Sequence, residues 1–282
     1  MEALLTALCG LGLVVAKEAR YSNAPACEEY LVPGRKAYFG DYFRLQTDRL
    51  IFPAFAHLTE LLQRGRTPAA WRRYDELMRD PREAEQFSHG QHHGSLGPAT
   101  ALAKKLDLSG RGALLDVGGG SGAFTIALCK RNPALRATLL DYEGALSVAR
   151  GYVAKAELSD RVGYFPGNAL RIQWPAGHDT ILMSYLLSAV DGECIDPLIE
   201  SAFAALPAGG MLVVHDFMAD DDRCGPPDAA LWFLTCLFNA PGAIVLTPGA
   251  LERRFREAAF VDVSVWELIP GLTRVAQARK PG

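Results

Sequence analysis

Apolar and polar positions in the second half of the chain fall into short blocks that predict strands and helices in turn. Five short apolar runs predict strands at 113–115, 136–140, 162–165, 180–183 and 211–214. Stretches with three- and four-residue apolar spacing predict helices at 124–131, 145–156 and 195–206. Because strands alternate with helices, we expect an α/β domain with a parallel sheet and helices on both faces. The tail beyond the fifth strand is long enough for a C-terminal antiparallel hairpin.

The first half has mostly helical spacing. Residues 1–13 predict a helix broken at Gly10 and Gly12, and a strand, a charged turn and a second strand follow, which is the outline of a winged helix. Further helices are predicted at 41–64 (ended by 65–68), 71–79, 81–89 and 98–105. We therefore expect a mostly helical winged-helix-type domain at 1–96, serving as dimerisation and substrate-lid domain, and the α/β domain at 97–282.

Composition narrows the class of protein. The 282 residues are 49% hydrophobic and 22% charged, which is typical of a globular chain with a sizeable core. The net charge of −3, with no Lys or Arg before residue 17, gives no reason to expect nucleic acid. The apolar stretch at 3–15 lacks a basic start and is too short to span a bilayer, so we expect no membrane association. Six scattered cysteines without a C-x-x-C pair fit reduced thiols in a cytoplasmic protein.

A glycine-rich turn at 118–122 joins the first predicted strand of the α/β domain to a helix. This arrangement brings backbone close to a nucleotide-like ligand, because glycine permits positive φ and carries no Cβ. Gly118 and Gly120 with Asp141 satisfy the fingerprint of NAD-binding domains. Asp116, just ahead of the glycines, favours S-adenosylmethionine instead, since its carboxylate can pair with the ammonium group of that cofactor. The residues of the turn alone leave both cofactors open.

Polar residues follow the predicted strands, and the carboxyl ends of parallel strands share one edge of the sheet. We expect them to line a single crevice. Tyr142 either stacks on an adenine ring or covers the sheet. The predicted cofactor-binding residues are Asp116, Gly118, Gly120, Asp141, Tyr142, Asn168, Ala169 and Ser184. His215 also follows a strand at this edge, and we expect no metal site among these groups.

Several motifs together resemble those of the small-molecule O-methyltransferases, the family of plant and bacterial natural-product and acetylserotonin enzymes. They lie at 4–13, 21–25, 115–122, 140–141, 165–168, 206–210 and 246–260. The resemblance implies a class I, Rossmann-like methyltransferase fold behind a winged helix, S-adenosyl-L-methionine as cofactor and a small-molecule methyl acceptor. It also implies that Asp141 binds the ribose hydroxyls and that Asn168 replaces the usual Asp beside the adenine.

Two departures from that family bear on function. The family has helices ahead of the winged helix that interlock two subunits, whereas residue 1 here already lies in the winged helix, so a homodimer is possible rather than implied. The general base of the family, a His after the fourth strand, aligns with Ser188. Either His215 or His92 replaces that base, or the acceptor needs none, as for a thioether sulfur in an S-methyltransferase. The third alternative is a non-catalytic protein that binds the cofactor or a partner.

Two further groups have two readings each, and a third is expected to have no role in a site. His92 lies among three histidines within 89–93, which either face solvent between helices or form the lid or floor of a ligand pocket. Trp232, Phe233 and Phe238 either line an acceptor pocket or belong to the core. The acidic run at 220–222 reads as a solvated loop.

Overall fold

A seven-stranded sheet forms the centre of the chain. The computed structural model describes residues 1–64, 73–240 and 242–282. The strands of this sheet are β3 (Ala113–Val117), β4 (Arg136–Asp141), β5 (Val162–Pro166), β6 (Thr180–Ser184), β7 (Met211–Phe217), β8 (Val261–Ile269) and β9 (Thr273–Arg279). Two earlier strands, β1 (Val14–Lys17) and β2 (Arg20–Asn23), form a separate hairpin.

Helices cover both faces of this sheet and make up most of the N-terminal half. They are α1 (Glu2–Gly10), α2 (Pro25–Tyr30), α3 (Gly40–Tyr42), α4 (Phe52–Phe55), α5 (Leu58–Arg64), α6 (Tyr74–Leu77), α7 (Pro81–Lys105), α8 (Ala123–Arg131), α9 (Glu143–Lys155), α10 (Ile195–Ala205), α11 (Pro227–Asn239) and α12 (Pro248–Glu257). A π-helical segment, Phe43–Ile51, joins α3 to α4, and short 3₁₀ turns lie at Leu187–Ala189 and Gly192–Cys194.

The strand order is β5-β4-β3-β6-β7-β9-β8, with β3 to β7 parallel and β9 antiparallel to both of its neighbours. The expected α/β fold with a C-terminal antiparallel hairpin is therefore confirmed. Strand order reverses on either side of β3, since β4 lies on one side and β6 on the other. In parallel sheets a crevice opens outside the carboxyl ends of the strands at such a switch point. The glycine turn follows β3 at this point.

The two faces of the sheet bury separate apolar layers, because successive side chains of a strand point to opposite faces. Leu115 and Ile181 pack in a layer with α10 and α12, whereas Leu114 and Leu182 pack with α7, α8 and α9. All five residues of β6 are buried, as expected for a central parallel strand.

The N-terminal segments begin with α1 and the antiparallel β1–β2 hairpin, in agreement with the predicted winged-helix outline. The helix predicted at 41–64 is divided into α3, the π-helical segment, α4 and α5. The predicted stop at 65–68 and the start of the helix predicted at 71–79 lie outside the described residues; α6 falls within the rest of that prediction.

Helix α7 corrects the prediction of two helices separated by a polar segment. It runs unbroken from Pro81 to Lys105 and includes Pro98, and the domain boundary expected at 96/97 falls within it. Two glycines of this segment are sites of close approach. A Cβ on Gly94 would lie 2.5 Å from Cδ2 of Tyr42, and one on Gly90 would lie 2.9 Å from Cγ of Gln46. Glycine at these positions lets the N-terminal helices pack directly on α7.

Candidate active site

The glycine turn after β3 leaves open space beside its backbone. Gly118 and Gly120 have φ of +69° and +53°, a region that favours glycine. A Cβ on Gly120 would meet no atom within 4 Å, whereas one on Gly119 would lie 2.5 Å from Cδ2 of Leu139. The turn is thus pressed against the sheet at Gly119 and open at Gly120, where a ligand can approach the main chain.

Asp116 lies beneath this turn and is almost completely buried, with 1% of its surface exposed. Its Oδ2 accepts a hydrogen bond of 2.7 Å from Oγ1 of Thr125 at the start of α8. Burial raises its pKa to about 7, since a carboxylate away from water is costly unless it is paired. A cationic ligand group at this position would provide the missing pairing.

Asp141 lies at the carboxyl end of β4 and is tied to the glycine turn. Its Oδ2 accepts from the Gly120 amide at 2.8 Å, and its Oδ1 accepts from the Tyr142 amide at 2.7 Å and from the Tyr74 hydroxyl at 3.2 Å. Burial raises its pKa to about 6 despite these donors. Besides burial, the charge of Asp141 contributes to the raised pKa of Asp116, because the two carboxylates lie close together.

The remaining residues expected at the adenosine end are less enclosed. Tyr142 is half-buried and meets Tyr74 edge to face, with ring centroids 5.8 Å apart. Asn168 uses its Oδ1 to accept from the Leu170 amide at 2.9 Å, and the Ala169 carbonyl accepts from the Trp174 indole at 2.8 Å. The turn after β5 is therefore held in shape by its own hydrogen bonds, and Asn168 and Ala169 remain partly exposed.

His215 and Ser184 are paired on adjacent strands. His215 Nδ1 and Ser184 Oγ are 2.8 Å apart, and the His215 ring is fully buried against Phe124 and Tyr185. Its Nε2 has no hydrogen-bond partner. Burial lowers the pKa of His215 to about 3, so the ring is neutral at ordinary pH.

His92 points from α7 to the glycine turn rather than to solvent. Its Nδ1 lies 2.9 Å from Oγ of Ser121, and its ring stacks on Tyr152 with a centroid distance of 3.4 Å and an interplanar angle of 8°. Burial lowers its pKa to about 3. His92 therefore connects α7, α9 and the turn as a neutral, packed side chain, which agrees with the reading of this cluster as the floor of a pocket.

Asp216 is a buried carboxylate that sequence reasoning missed. Its Oδ2 accepts from the Ser188 amide at 3.1 Å and its Oδ1 from its neighbour, the Phe217 amide, at 2.9 Å. Burial raises its pKa to about 6. The available signal was the strand period of two, because a residue next to His215 on β7 must face the opposite side of the sheet.

An aromatic wall adjoins the glycine turn, and we define it as Tyr185, Phe217 and Trp232. Tyr185 has a φ of +56°, an uncommon value for a non-glycine residue, and its ring centroid lies 4.9 Å from that of Phe217. Phe217 in turn stacks on Trp232 of α11 at 4.2 Å. The next residue, Leu186, lies where a Cβ on Gly118 would touch it, at 3.0 Å. The wall and the glycine turn are thus in near contact, whereas Phe233 and Phe238 are buried in the core.

The other candidate groups have structural partners. Asp220 pairs with Arg274, Asp221 accepts from the Gly249 amide at 2.8 Å, and Asp222 accepts from the Cys224 amide at 2.9 Å. Within the described part of the chain no set of three His, Cys, Asp or Glu side chains is arranged to hold a metal ion. None of the helices in that part is both long and apolar enough to cross a membrane.

A Rossmann-like sheet, a glycine turn at its switch point and buried acids after β3 and β4 define the class of S-adenosylmethionine-dependent methyltransferases. Residues 55–257 match the O-methyltransferase domain family, and this chain belongs to that family. It is an enzyme that transfers a methyl group from S-adenosylmethionine to a small-molecule acceptor.

Individual relatives agree with this assignment. The chain is 33% identical over 245 residues to the 3-hydroxy-5-methyl-1-naphthoate 3-O-methyltransferase of Streptomyces sahachiroi, covering 86% of this chain and 70% of the relative. It is 28% identical over 274 residues to the acetylserotonin O-methyltransferase of Bos taurus, covering 93% and 78%. The human N-acetylserotonin methyltransferase in complex with S-adenosylmethionine has the same fold, with a TM-score of 0.88, 20% identity, and coverage of 100% and 83%.

The residues at the crevice fit this cofactor. S-adenosylmethionine carries an ammonium group, a ribose diol and an adenine ring, and the crevice offers two buried carboxylates and an open glycine backbone. The raised pKa of Asp116 is consistent with a carboxylate that lacks its cation. A Cβ at Gly120 would project into the open space, so the absence of a side chain there matches a ligand that lies against the turn.

Proposed function

We propose that this enzyme methylates a hydroxyl oxygen of a small aromatic molecule. The observation that carries the proposal is the position of the aromatic wall, because its Tyr185 is followed in the chain by Leu186, whose side chain lies against Gly118 of the glycine turn. A flat apolar surface next to the cofactor turn suits a planar acceptor. The Streptomyces relative is named for methylation of a naphthoate hydroxyl, which is an acceptor of this kind.

For the cofactor we propose one role for each group of the crevice. Asp116 pairs with the ammonium group, Asp141 accepts hydrogen bonds from the ribose, and the backbone of Gly118 and Gly120 lies against the methionyl part. Tyr142, Asn168 and Ala169 border the adenine, and Ser184 supplies a hydroxyl near the methyl group. These roles rest on the burial of the two acids and on the Gly120–Asp141 hydrogen bond of 2.8 Å.

When bound, the cofactor supplies an electrophilic methyl group on a sulfonium. The chain itself positions the acceptor and excludes water, and holding two reactants in contact accounts for a large part of the rate of such a transfer. We propose that His215 and His92 serve as positioning residues, because both rings are buried, hydrogen-bonded and neutral. His215 holds Ser184, and His92 holds Ser121 of the glycine turn.

A screen with methyl-labelled S-adenosylmethionine and small acceptors tests the proposal. The acceptors are 3-hydroxy-5-methyl-1-naphthoate, its 3-deoxy analogue and a thioether such as methyl phenyl sulfide. We expect label on the phenolic oxygen, located by NMR, and none on the deoxy analogue. Label on the thioether alone, with a rate flat across neutral pH, would identify an S-methyltransferase, and absence of transfer to every acceptor would support a non-catalytic protein.

We further propose that the N-terminal segment binds a second copy of this chain. Helix α1 has no buried residue, and twelve of the sixteen large apolar side chains that are exposed among the described residues fall within residues 1–64. The most exposed within helices include Leu4, Phe52 and Leu62. Such side chains are typical of an interface rather than of a free surface. Light scattering should give twice the chain mass, and Phe52→Lys with Leu62→Lys should give the monomer mass; a wild-type monomer contradicts the proposal.

The cysteines support a location in the cytoplasm, which we propose without a direct test. Cys9, Cys27, Cys129, Cys194, Cys224 and Cys236 are all free thiols. Free thiols persist where the compartment is reducing.

A further inference from the structure

We propose that Ser188 and Asp216 form a proton relay that takes the proton of the acceptor hydroxyl, with Asp216 as its final holder. The proposal rests on the proposed O-methylation, because only a hydroxyl acceptor has this proton to lose. A phenol has a pKa of about 10, so its oxygen is a weak nucleophile at neutral pH unless a base is near. Burial lowers the pKa of both histidines of the crevice to about 3, so they are weaker bases than Asp216, a buried acid to which the cofactor roles give no task.

The geometry joins the two residues through the backbone of Ser188. The Ser188 amide donates to Asp216 Oδ2 at 3.1 Å. The Ser188 side chain is also close enough to Asp216 to oppose the rise that burial causes in the pKa of this carboxyl. Asp216 lies between the aromatic wall residue Phe217 and His215, at the carboxyl end of β7. The 3₁₀ turn that carries Ser188 follows Leu186 directly, and Leu186 contacts the glycine turn. Ser188 thus follows Tyr185 of the wall by three positions and Leu186 by two.

The surroundings of Asp216 leave its charge unneutralised. Tyr185 and Cys236 face it, and the charge of Asp216 helps to raise the pKa of both. Arg274 is its register partner on β9, but its guanidinium donates to the Ala219 carbonyl and pairs with Asp220. His215 points to the other face of the sheet. An unneutralised buried carboxylate gains stability by accepting a proton, which is the property a terminal proton acceptor requires.

In this relay the proton travels through Ser188. Asp216 is fully buried, at 0% exposed, and Ser188 is the residue whose amide bonds to its Oδ2, so the serine is the link between the carboxylate and the acceptor. In the transfer the acceptor O–H bond breaks and an O–CH3 bond forms, while the methyl–sulfur bond breaks and its electron pair stays on sulfur. Ser188 receives the acceptor proton and passes its own to Asp216, which returns it to water after product release. No other reactant is needed.

Rate measurements on 3-hydroxy-5-methyl-1-naphthoate and on substituted naphthols test the relay. We expect Asp216→Asn and Ser188→Ala each to lower kcat by about 100-fold or more, because a positioned base contributes about 10²–10⁴-fold. Ser188→Thr keeps the hydroxyl and should restore most of the rate. In the wild type kcat should rise through pH about 6 and then level off. In Asp216→Asn and Ser188→Ala, kcat should instead follow ionisation of the naphthol and depend steeply on the pKa of the naphthol.

Matched variants and a second readout separate the outcomes. Asp222→Asn at an exposed position and Ser201→Ala at a half-buried position of α10 change the same residue types away from the relay and should leave kcat unchanged. S-adenosylhomocysteine affinity should be the same in all folded variants, since the relay does not hold the cofactor. Carboxyl ¹³C NMR should show two titrations near pH 6, because burial raises the pKa of both Asp141 and Asp216 to about 6, and Asp216→Asn should remove one of the two. Wild-type kcat and pH profile in either Asp216→Asn or Ser188→Ala would overturn the relay, whereas wild-type enzyme that forms no O-methyl product would overturn the proposed function instead.

Discussion

The Tyr74 hydroxyl donates to Asp141 Oδ1 at 3.2 Å, so a helix of the N-terminal half is bonded to the acid at the end of β4. A carboxylate offers about four acceptor positions, and Asp141 has three of them taken by Tyr74, Gly120 and Tyr142. A ribose diol that donates both hydroxyls needs two positions. Under the proposed role of Asp141 in binding the ribose, the Tyr74 hydroxyl and the ribose compete for this carboxylate.

Replacing Tyr74 with Phe removes this competitor. We expect Tyr74→Phe to bind S-adenosylhomocysteine about ten-fold more tightly, because the hydrogen bond from the Tyr74 hydroxyl to the Asp141 carboxylate, worth about 1.5 kcal/mol, no longer has to be exchanged. Titration calorimetry measures the change. Tyr164→Phe, on a strand away from the crevice, is the control and should bind as the wild type does. Weaker binding by Tyr74→Phe would mean that the hydroxyl contacts the cofactor itself.

Asp116 should lower the stability of the cofactor-free protein at high pH. Burial raises its pKa to about 7 from an ordinary value of 3.8, so the folded state holds the proton more tightly than the unfolded state. The contribution of this group to stability is complete below pH 4 and is lost as the pH rises through 7. We expect Asp116→Asn to raise Tm more at pH 8 than at pH 4.5, and to weaken cofactor binding at both.

Asp107→Asn provides the contrast for Asp116→Asn. Asp107 is exposed, and its hydrogen bonds to Ser109 lower the pKa of its carboxyl, so its contribution to stability is present at high pH. We expect Asp107→Asn to lower Tm slightly at pH 8. An equal shift in Tm at both pH values for Asp116→Asn would contradict the assignment of the raised pKa.

His215 should affect the cofactor through Ser184. We expect Ser184→Ala and His215→Phe each to weaken S-adenosylhomocysteine binding by several-fold, and the double variant to be no weaker than the more affected single variant. Residues that act as one unit give non-additive effects in such a cycle. Calorimetry measures binding, and thermal unfolding of each variant reports separately on folding. Additive losses would mean that His215 acts independently of the Ser184 hydroxyl.

Two glycines of α7 should respond oppositely to alanine. A Cβ on Gly94 would lie 2.5 Å from Tyr42 Cδ2, whereas one on Gly97 would meet nothing within 4 Å. We expect Gly94→Ala to cost about 1–3 kcal/mol of unfolding free energy through overpacking, and Gly97→Ala to gain about 0.5–1 kcal/mol through helix propensity. Urea denaturation measures both. Stabilisation by Gly94→Ala would show that α3 does not press on α7 at this point.

Local patterns were sufficient to predict the sheet and the convergence at its edge. Apolar runs locate β3 to β7 within a few residues, and the shared edge of parallel strands explains why Asp116, Gly120 and Asp141 meet. Asp216 was not predicted as a site residue, because its neighbour His215 accounts for the polar end of the same strand, although the two side chains point to opposite faces.

Contacts between distant parts of the chain were not predictable in the same way. Helix α7 spans what apolar spacing predicts as two helices, and its Gly94 packs closely against Tyr42. The hydrogen bond between Tyr74 and Asp141 joins residues 67 positions apart. Both depend on how the N-terminal helices dock on the sheet domain. Apolar spacing predicts that a helix exists, but it does not specify the surface that the helix meets.

Helix α7 carries two contacts that lie two residues apart, one with the glycine turn and one with the N-terminal helices. His92 holds the glycine turn, and two residues later Gly94 receives Tyr42 from the N-terminal half. A helix transmits displacement along its length with little loss, so a shift of the N-terminal helices by a fraction of an ångström must also move Ser121. Substitutions at the contact between Gly94 and Tyr42 should therefore also displace the glycine turn, which His92 holds through Ser121.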